Sequence, residues 1–287
     1  MRLESPAKLN LALHVLRKRK DGYHELCTLF HRISLRDTLC LQKRRSGIRL
    51  SCFHPKVPKK NNLVVRAFEL LKTETQFSGG VSVRLIKRIP VGGGLGGGSS
   101  NAGAFLLGMN RLFRLGLSQS KLVKLGARLG SDVPFFISGA RHALGEGRGE
   151  KVRPVTFRRR LWFLLIRSGR GLSTRRVYQG FRPKSPRASL TRVEHGVKIA
   201  STFLAKGKVA QASEFLQNDL VESAERMRPS LMRMRAQLSD TQLGTCHMSG
   251  SGPTQFFIFL SRKQALQALQ KLRRSGFSRS IFLCHSF

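Results

Sequence analysis

Six glycines in the fourteen residues IPVGGGLGGGSSNA, Ile89 to Ala102, constrain this chain more than any other feature. The run before them, VSVRLIKRI (Val81 to Ile89), alternates and is rich in β-branched residues, and Pro90 closes it as a strand. The run after them, NAGAFLLGMNRLF (Asn101 to Phe113), spaces its apolar residues three and four apart, as a helix does. Ser99, Ser100 and Asn101 stand at the junction and are expected to cap that helix. The order is strand, glycine loop, helix N-terminus. Glycine lets the backbone turn freely and lets a ligand reach the N–H groups. A helix start adds unpaired donors and a partial positive charge. The stretch reads as a phosphate cradle, since a flexible linker would not be set so tightly between two periodic segments.

The type of cradle can be narrowed. The pattern G-x-G-x-x-G fits Gly92, Gly94 and Gly97. A dinucleotide fold, however, needs an acidic residue about twenty positions on to hold the ribose. The first acidic residue here is Asp132, too far away. A Walker loop needs a lysine after its last glycine, and none follows these. The H-R-D and D-F-G elements of protein kinases are absent. What remains is a glycine–serine loop that opens a helix and has no lysine of its own. In this it resembles the nucleotide loop of the GHMP small-molecule kinases.

At 287 residues the chain can bury a substantial core in one or two domains. A hydrophobic fraction of 40% suits a globular protein rather than a disordered one. No apolar run approaches the length of a bilayer span, and MRLESPAKLNLALHV lacks the layout of a secretory signal. No membrane role and a cytoplasmic location are expected. The five cysteines (Cys27, Cys40, Cys52, Cys246, Cys284) are scattered and form no C-x-x-C pair, so neither a protein metal site nor a disulfide framework is expected.

The charge is unusual: 53 Lys and Arg against 15 Asp and Glu, a net +38. Such a balance favours anionic partners, whether nucleic acid, acidic lipid or phosphorylated metabolites. The cations are spread along the chain, with only short clusters such as RKRK (Arg17 to Lys20) and RRR (Arg158 to Arg160). A dedicated nucleic-acid module concentrates them on one element with interleaved aromatics. A solvated basic surface is the better reading, with non-specific binding to nucleic acid expected at low salt.

Along the chain, SPAKLNLALHVL (Ser5 to Leu16) alternates like a half-buried strand. Lys8, Asn10 and Ala12 would share one face and Leu9, Leu11 and Leu13 the other. Asp21-Gly22 marks a turn, followed at once by Tyr23 and His24. NNLVVRAFELLK (Asn61 to Lys72) reads as a helix capped by Asn61 or Asn62. LSQSKLVKLGARLG (Leu117 to Gly130) reads as another, capped by Ser118. It leads into SDVPFFISG, taken as a helix-to-strand junction with Asp132 at its start. On residue type alone Lys8 is an ordinary strand lysine, Tyr23 and His24 are surface residues, and Asp132 is a cap. RPKSPRASL (Arg182 to Leu190) reads as a loop, and three further helices are expected between Val193 and Leu238. HMSGSGPTQFFIFL (His247 to Leu260) is a second glycine–serine turn ahead of a buried strand.

The GHMP resemblance changes the weight of these residues. It rests on P-A-K-L-N-L (Pro6 to Leu11), D-G-Y-H-E-L (Asp21 to Leu26) and the doubled glycine loop, in the family's order, with G-S-D-V-P (Gly130 to Pro134) matching a G-A-D-V-P pattern. It implies an α+β fold of two domains, nucleotide-binding over 1–155 and substrate-side over 156–287, with the active site in the cleft between them. It implies ATP with Mg²⁺ as cofactors and transfer of a phosphoryl group to the hydroxyl of a cytidyl diphospho-sugar alcohol. Lys8 and Asp132 would be the catalytic pair, with Asp132 the base. Pro90, Val91, Gly92, Gly93, Gly94, Leu95, Gly96, Gly97, Gly98, Ser99 and Ser100 would hold the nucleotide, with Asn62 near its adenine. Asn10, Tyr23, His24, Thr174 and Tyr178 would hold the substrate, Tyr23 and Tyr178 on the two faces of the cytosine and His24 at its edge. The second glycine–serine turn would support the nucleotide loop. A monomer or weak homodimer is expected. Two rivals stand beside this: a GHMP kinase acting on homoserine or mevalonate-type alcohols, and a nucleic-acid-binding protein on a kinase-like scaffold.

Overall fold

A computed structural model describes residues 1–54, 57, 61–156, 158–167, 169–183, 189–277 and 281–287. The chain opens with two long strands, β1 (Arg2–Lys18) and β2 (His24–Arg44), paired antiparallel over almost their whole length. The turn between them uses Gly22 at φ 83° and an Asp21 carboxylate that accepts the Tyr23 N–H at 3.1 Å. β3 (Gly47–Ser51), α1 (Leu63–Thr75) and β4 (Gly80–Ile86) follow. Asn62 caps α1 by accepting the Val64 N–H at 2.9 Å. Then come α2 (Gly97–Phe113), α3 (Gln119–Leu129), α4 (Val133–Ile137), β5 (His142–Gly147) and β6 (Lys151–Pro154). The first sheet has the order β3-β4-β2-β5-β6, with β1 also on β2, and only β3 and β4 run parallel.

The second sheet, ordered β10-β7-β9-β8, is antiparallel and built from β7 (Trp162–Arg167), β8 (His247–Met248), β9 (Thr254–Phe259) and β10 (Ile281–His285). Its helices are α5 (Thr174–Gln179), α6 (Leu190–Ala205), α7 (Val209–Ser213), α8 (Val221–Met227), α9 (Pro229–Asp240) and α10 (Arg262–Arg274). One continuous core joins Leu9 and Leu11 of β1 to Phe163 and Leu165 of β7, Phe256 of β9 and Val197 and Leu204 of α6. α1 and α2 cover the first sheet through Phe68, Phe105 and Met109. Leu164, Ile166 and Phe257 meet α9 and α10 through Leu231, Leu238 and Leu272. Among the described residues no helix is long and apolar enough to cross a membrane.

Local expectations need correction in four places. β1 is buried on both faces rather than one, Lys8 and Asn10 being 3% exposed, because the glycine loop, Asp132 and the Ser249 turn pack over that face. A bulge between Asn10 and Ala12 also breaks the alternation, so Leu13 faces the same cavity as Lys8 and Asn10. Helix α2 starts at Gly97, ahead of the caps expected at Ser99 to Asn101, with Gly96 at its N-cap and no side-chain cap. The segment after Asp132 is a short helix, which Pro134 in its first turn favours, and not a strand. The helix expected through ASEFLQNDLVESA breaks after Ser213, and α8 begins at Val221. The centre of the Arg182–Leu190 loop, residues 184–188, lies outside the described residues.

Candidate active site

The glycine loop is fixed at both ends before it touches any ligand. Asp37, fully buried on β2, accepts the N–H groups of Arg88 at 2.7 Å and Ile89 at 2.8 Å. Its other oxygen accepts from Asn101 Nδ2 of α2 at 2.9 Å and from the Lys87 ammonium. One carboxylate therefore joins the strand that enters the loop to the helix that leaves it. Farther along, Arg167 donates to the Val91 carbonyl at 2.9 Å, and the Lys8 N–H to the Leu95 carbonyl at 3.0 Å. Gly94 and Gly96 take φ of 75° and 67°, where an L side chain is strained. A Cβ on Gly94 would lie 2.3 Å from the Ser249 carbonyl oxygen. That contact is the second glycine–serine turn, and Ser249 Oγ donates to the Gly94 carbonyl at 3.0 Å. Asn218 holds the turn in turn, its amide donating to the carbonyls of Met248 and Gly250 at 2.7 and 2.8 Å.

The loop forms one wall of a cavity of about 1150 Å³ that is also lined by the turn and the middle of the β1–β2 hairpin and by the start of α5. On its floor Lys8 Nζ lies 3.3 Å from Asp132 Oδ2 and donates to Asn10 Oδ1. The Asn10 amide donates in turn to Thr28 Oγ1 at 2.7 Å, and that hydroxyl donates to the Ala12 carbonyl at 2.6 Å. Phe30 lies under the ammonium, 5.5 Å from ring centroid to Nζ. Asp132 occupies the N-cap position of α4 yet makes no capping bond, so its carboxylate is turned to Lys8 instead. The two charges sit together although 124 positions separate them in sequence.

At the other end, His24 stacks on Tyr178 with centroids 5.5 Å apart and planes 28° from parallel. Phe181 meets the His24 ring edge-on at 6.1 Å. Burial, with help from Lys18, holds His24 below its ordinary pKa, so the ring is neutral at pH 7. Burial, and then the Asp132 charge, raises the Tyr178 phenol, which stays protonated. Tyr23 is 53% exposed, and the Arg148 guanidinium lies 4.8 Å from its ring centroid. Thr174 Oγ1 pairs with Ser251 Oγ at 2.9 Å.

Lys8, Asn10, Tyr23, His24, Asn62, Pro90 through Ser99, Asp132, Thr174 and Tyr178 all line this one cavity. Ser100 does not: it is buried beneath the loop, its hydroxyl accepting from Ser5 Oγ at 2.8 Å. It braces the loop rather than facing a ligand. The His24 ring, which lines the cavity, lies face to face with Tyr178. Thr28, Asp37, Lys87 and Arg148 belong to the site or its frame and were not singled out in the sequence. Only Asp37 left a signal there, as one of just five aspartates in a strongly cationic chain.

A glycine loop at a helix start, closed by a second glycine–serine turn and facing a Lys–Asp pair, defines a small-molecule kinase of the GHMP fold. The family models agree: "GHMP kinases N terminal domain" matches residues 62–140 and "GHMP kinases C terminal" matches 202–278. The 4-diphosphocytidyl-2-C-methyl-D-erythritol kinase of Syntrophus aciditrophicus is 39% identical over 277 residues, covering 96% of each chain. The enzyme of the same name from Syntrophomonas wolfei is 35% identical over 289 residues, covering 99% of this chain and 98% of its own. A crystal structure of 4-(cytidine 5′-diphospho)-2C-methyl-D-erythritol kinase superposes over the whole of both chains with a TM-score of 0.80 at 32% identity. The L. major mevalonate kinase, at a TM-score of 0.74 and 16% identity, shares the fold. The chain belongs to the 4-diphosphocytidyl-2-C-methyl-D-erythritol kinase family, and is an ATP-using small-molecule kinase.

Proposed function

We propose that the chain transfers the terminal phosphoryl group of ATP to the 2-hydroxyl of 4-diphosphocytidyl-2-C-methyl-D-erythritol, in the non-mevalonate route to isopentenyl diphosphate. The observation that carries this reading is the Lys8–Asp132 pair at 3.3 Å, set between the glycine loop and the Tyr23–His24–Tyr178 aromatics. Phosphoryl transfer asks a protein mainly for positioning and charge neutralisation. The backbone N–H groups of the loop and the start of α2 take the ATP phosphates. Asp132 accepts the proton of the attacking hydroxyl. Lys8 neutralises charge developing on the transferred group, and Asn10, braced by Thr28, fixes where the ammonium points. Tyr23, His24 and Tyr178 offer flat faces and a neutral imidazole to a pyrimidine base.

Among the described residues no cluster of three or more His, Cys, Asp or Glu side chains could hold a metal by itself. Mg²⁺ is suited to such a site, because it binds through nucleotide phosphates with only one or two protein oxygens. The Ser99 hydroxyl lines the cavity beside the loop and would supply one. The ion, when bound, offsets phosphate charge. An acceptor panel tests the assignment: ATP consumption with the cytidyl substrate, mevalonate and homoserine. Turnover confined to the cytidyl compound is expected. Equal or better turnover of a compound lacking the base would transfer the assignment to another GHMP kinase.

A further inference from the structure

A second concavity, about 610 Å³, opens between the end of β6 and the segment leading into β7, and shares no residue with the active-site cavity. Arg141, Arg158, Arg159 and Arg160 line it together with the Thr156 hydroxyl. All four arginines are exposed. Among the described residues no carboxylate pairs with any of them. Their neighbour Arg153, on β6, shows the contrast: it is neutralised by Glu146 at 2.8 Å and Glu194 at 3.2 Å. Charge has thus been offset beside the trough and left open inside it.

One of the four is also held in place. Arg159 donates Nε–H to the Ala205 carbonyl at the end of α6 at 3.0 Å. It lies so close over Gly207 that a Cβ there would come within 3.1 Å of the guanidinium carbon, and Gly207 turns away at φ 76°. A held guanidinium loses less freedom on binding a phosphate than a free lysine does.

We propose that this trough docks the phosphate backbone of a nucleic acid. Guanidinium forks match phosphate oxygens in pairs. Four open cations in one concavity exceed what a single phosphate neutralises and suit a chain of them. A concave trough follows a strand, whereas a membrane-binding face is convex or flat and presents apolar groups for insertion. The trough therefore localises part of the +38 charge, which would otherwise attract polyanions from every side.

The test compares Arg158→Ala/Arg159→Ala/Arg160→Ala with a variant that removes the same charge elsewhere, Lys271→Ala/Arg273→Ala/Arg274→Ala in the last turn of α10. The probe is a labelled polyuridine of about 20 nucleotides, titrated in fluorescence anisotropy at several salt concentrations. Loss of three contacts should lower the slope of log K against log salt by about 2 and weaken binding at least about tenfold at 0.1 M salt. The α10 variant should weaken it by less than about threefold, and both variants should keep the kinase activity of the parent protein, which reports on folding. Equal losses in the two variants would show diffuse charge and overturn the proposal. So would absence of binding by the parent at about 50 mM salt. Displacement of the probe by inorganic phosphate at matched phosphate concentration would reassign the trough to a small anion and equally overturn it.

Discussion

Gly96→Ala is the substitution whose outcome the geometry fixes most tightly. Gly96 sits at φ 67°, and an alanine there pays about 1–2 kcal/mol for the left-handed backbone. Its Cβ would lie 3.0 Å from Lys8 Cγ, 3.1 Å from Lys8 Cε and 3.1 Å from Phe136 Cζ. Both neighbours are buried, so relief requires moving packed atoms, at a further cost of about 1–3 kcal/mol. The sum is about 2–5 kcal/mol, or a fall of roughly 3–8 °C in Tm for a chain of this size. The movable partner is the lysine stem, so its ammonium leaves its place beside Asp132. A shift approaching 1 Å there should lower kcat by up to about 100-fold. Gly98→Ala, two residues along in the first turn of α2, is the control. Its Cβ meets only Leu63 Cδ1, at an ordinary 3.5 Å, and no left-handed backbone is involved, so Tm should be unchanged or slightly raised. Scanning calorimetry and steady-state turnover on both variants decide the matter. Parent-like Tm and kcat in Gly96→Ala, or an equal loss of stability in Gly98→Ala, would refute the packing argument.

Three other expectations follow from the same structure. Asp37→Asn replaces a fully buried carboxylate with an amide facing the Lys87 ammonium, leaving a buried charge uncompensated. Urea denaturation should show a loss of about 3–5 kcal/mol, partly restored by adding Lys87→Met. Tyr178→Ala removes the ring stacked on His24 and should raise KM for the cytidyl substrate about tenfold, a stacking loss of about 1–3 kcal/mol, with KM for ATP little changed. His247 is buried against Phe256 and lowered by burial to about 4, so the folded protein keeps it neutral while the unfolded chain takes up a proton below about 6.5. Its contribution is complete above pH 6.5 and is lost as pH falls toward 4, at about 1.4 kcal/mol per pH unit. A Gln at 247 should flatten that part of the stability–pH curve.

The loop itself was legible because glycine, proline and periodicity are local signals, and each acts on the residues beside it. The same holds for the Asn62 and Ser118 caps, which bond N–H groups two and three residues away. What the sequence concealed depends on distant partners. Asp37 gives no local hint that it will join Ile89 to Asn101, because that requires β2 to pass beneath the loop. The cap expected from Ser99 to Asn101 failed for a related reason. The Ser100 and Asn101 side chains are drawn under the loop, to Ser5 and Asp37, and glycines at positive φ turn the chain into the helix without them. β1 looked half-buried because its alternation is real over Lys8 to Leu11, but a bulge and a second sheet packed across it are features of the tertiary fold. Lys8 and Asp132 could be paired in advance only by resemblance to the GHMP family, since nothing in the intervening residues links them.

The central claim is that Asp132 takes the proton while Lys8 meets the charge developing on the phosphoryl group. The most direct test is single-turnover phosphoryl transfer from labelled ATP to the cytidyl substrate by Asp132→Asn, with both ligands saturating and their binding measured separately. The account predicts a fall in the transfer rate of about 100-fold or more, in the range of a lost general base, with nucleotide affinity near that of the parent. Transfer at the parent rate with intact binding would remove Asp132 as the base and with it the mechanism proposed for this site.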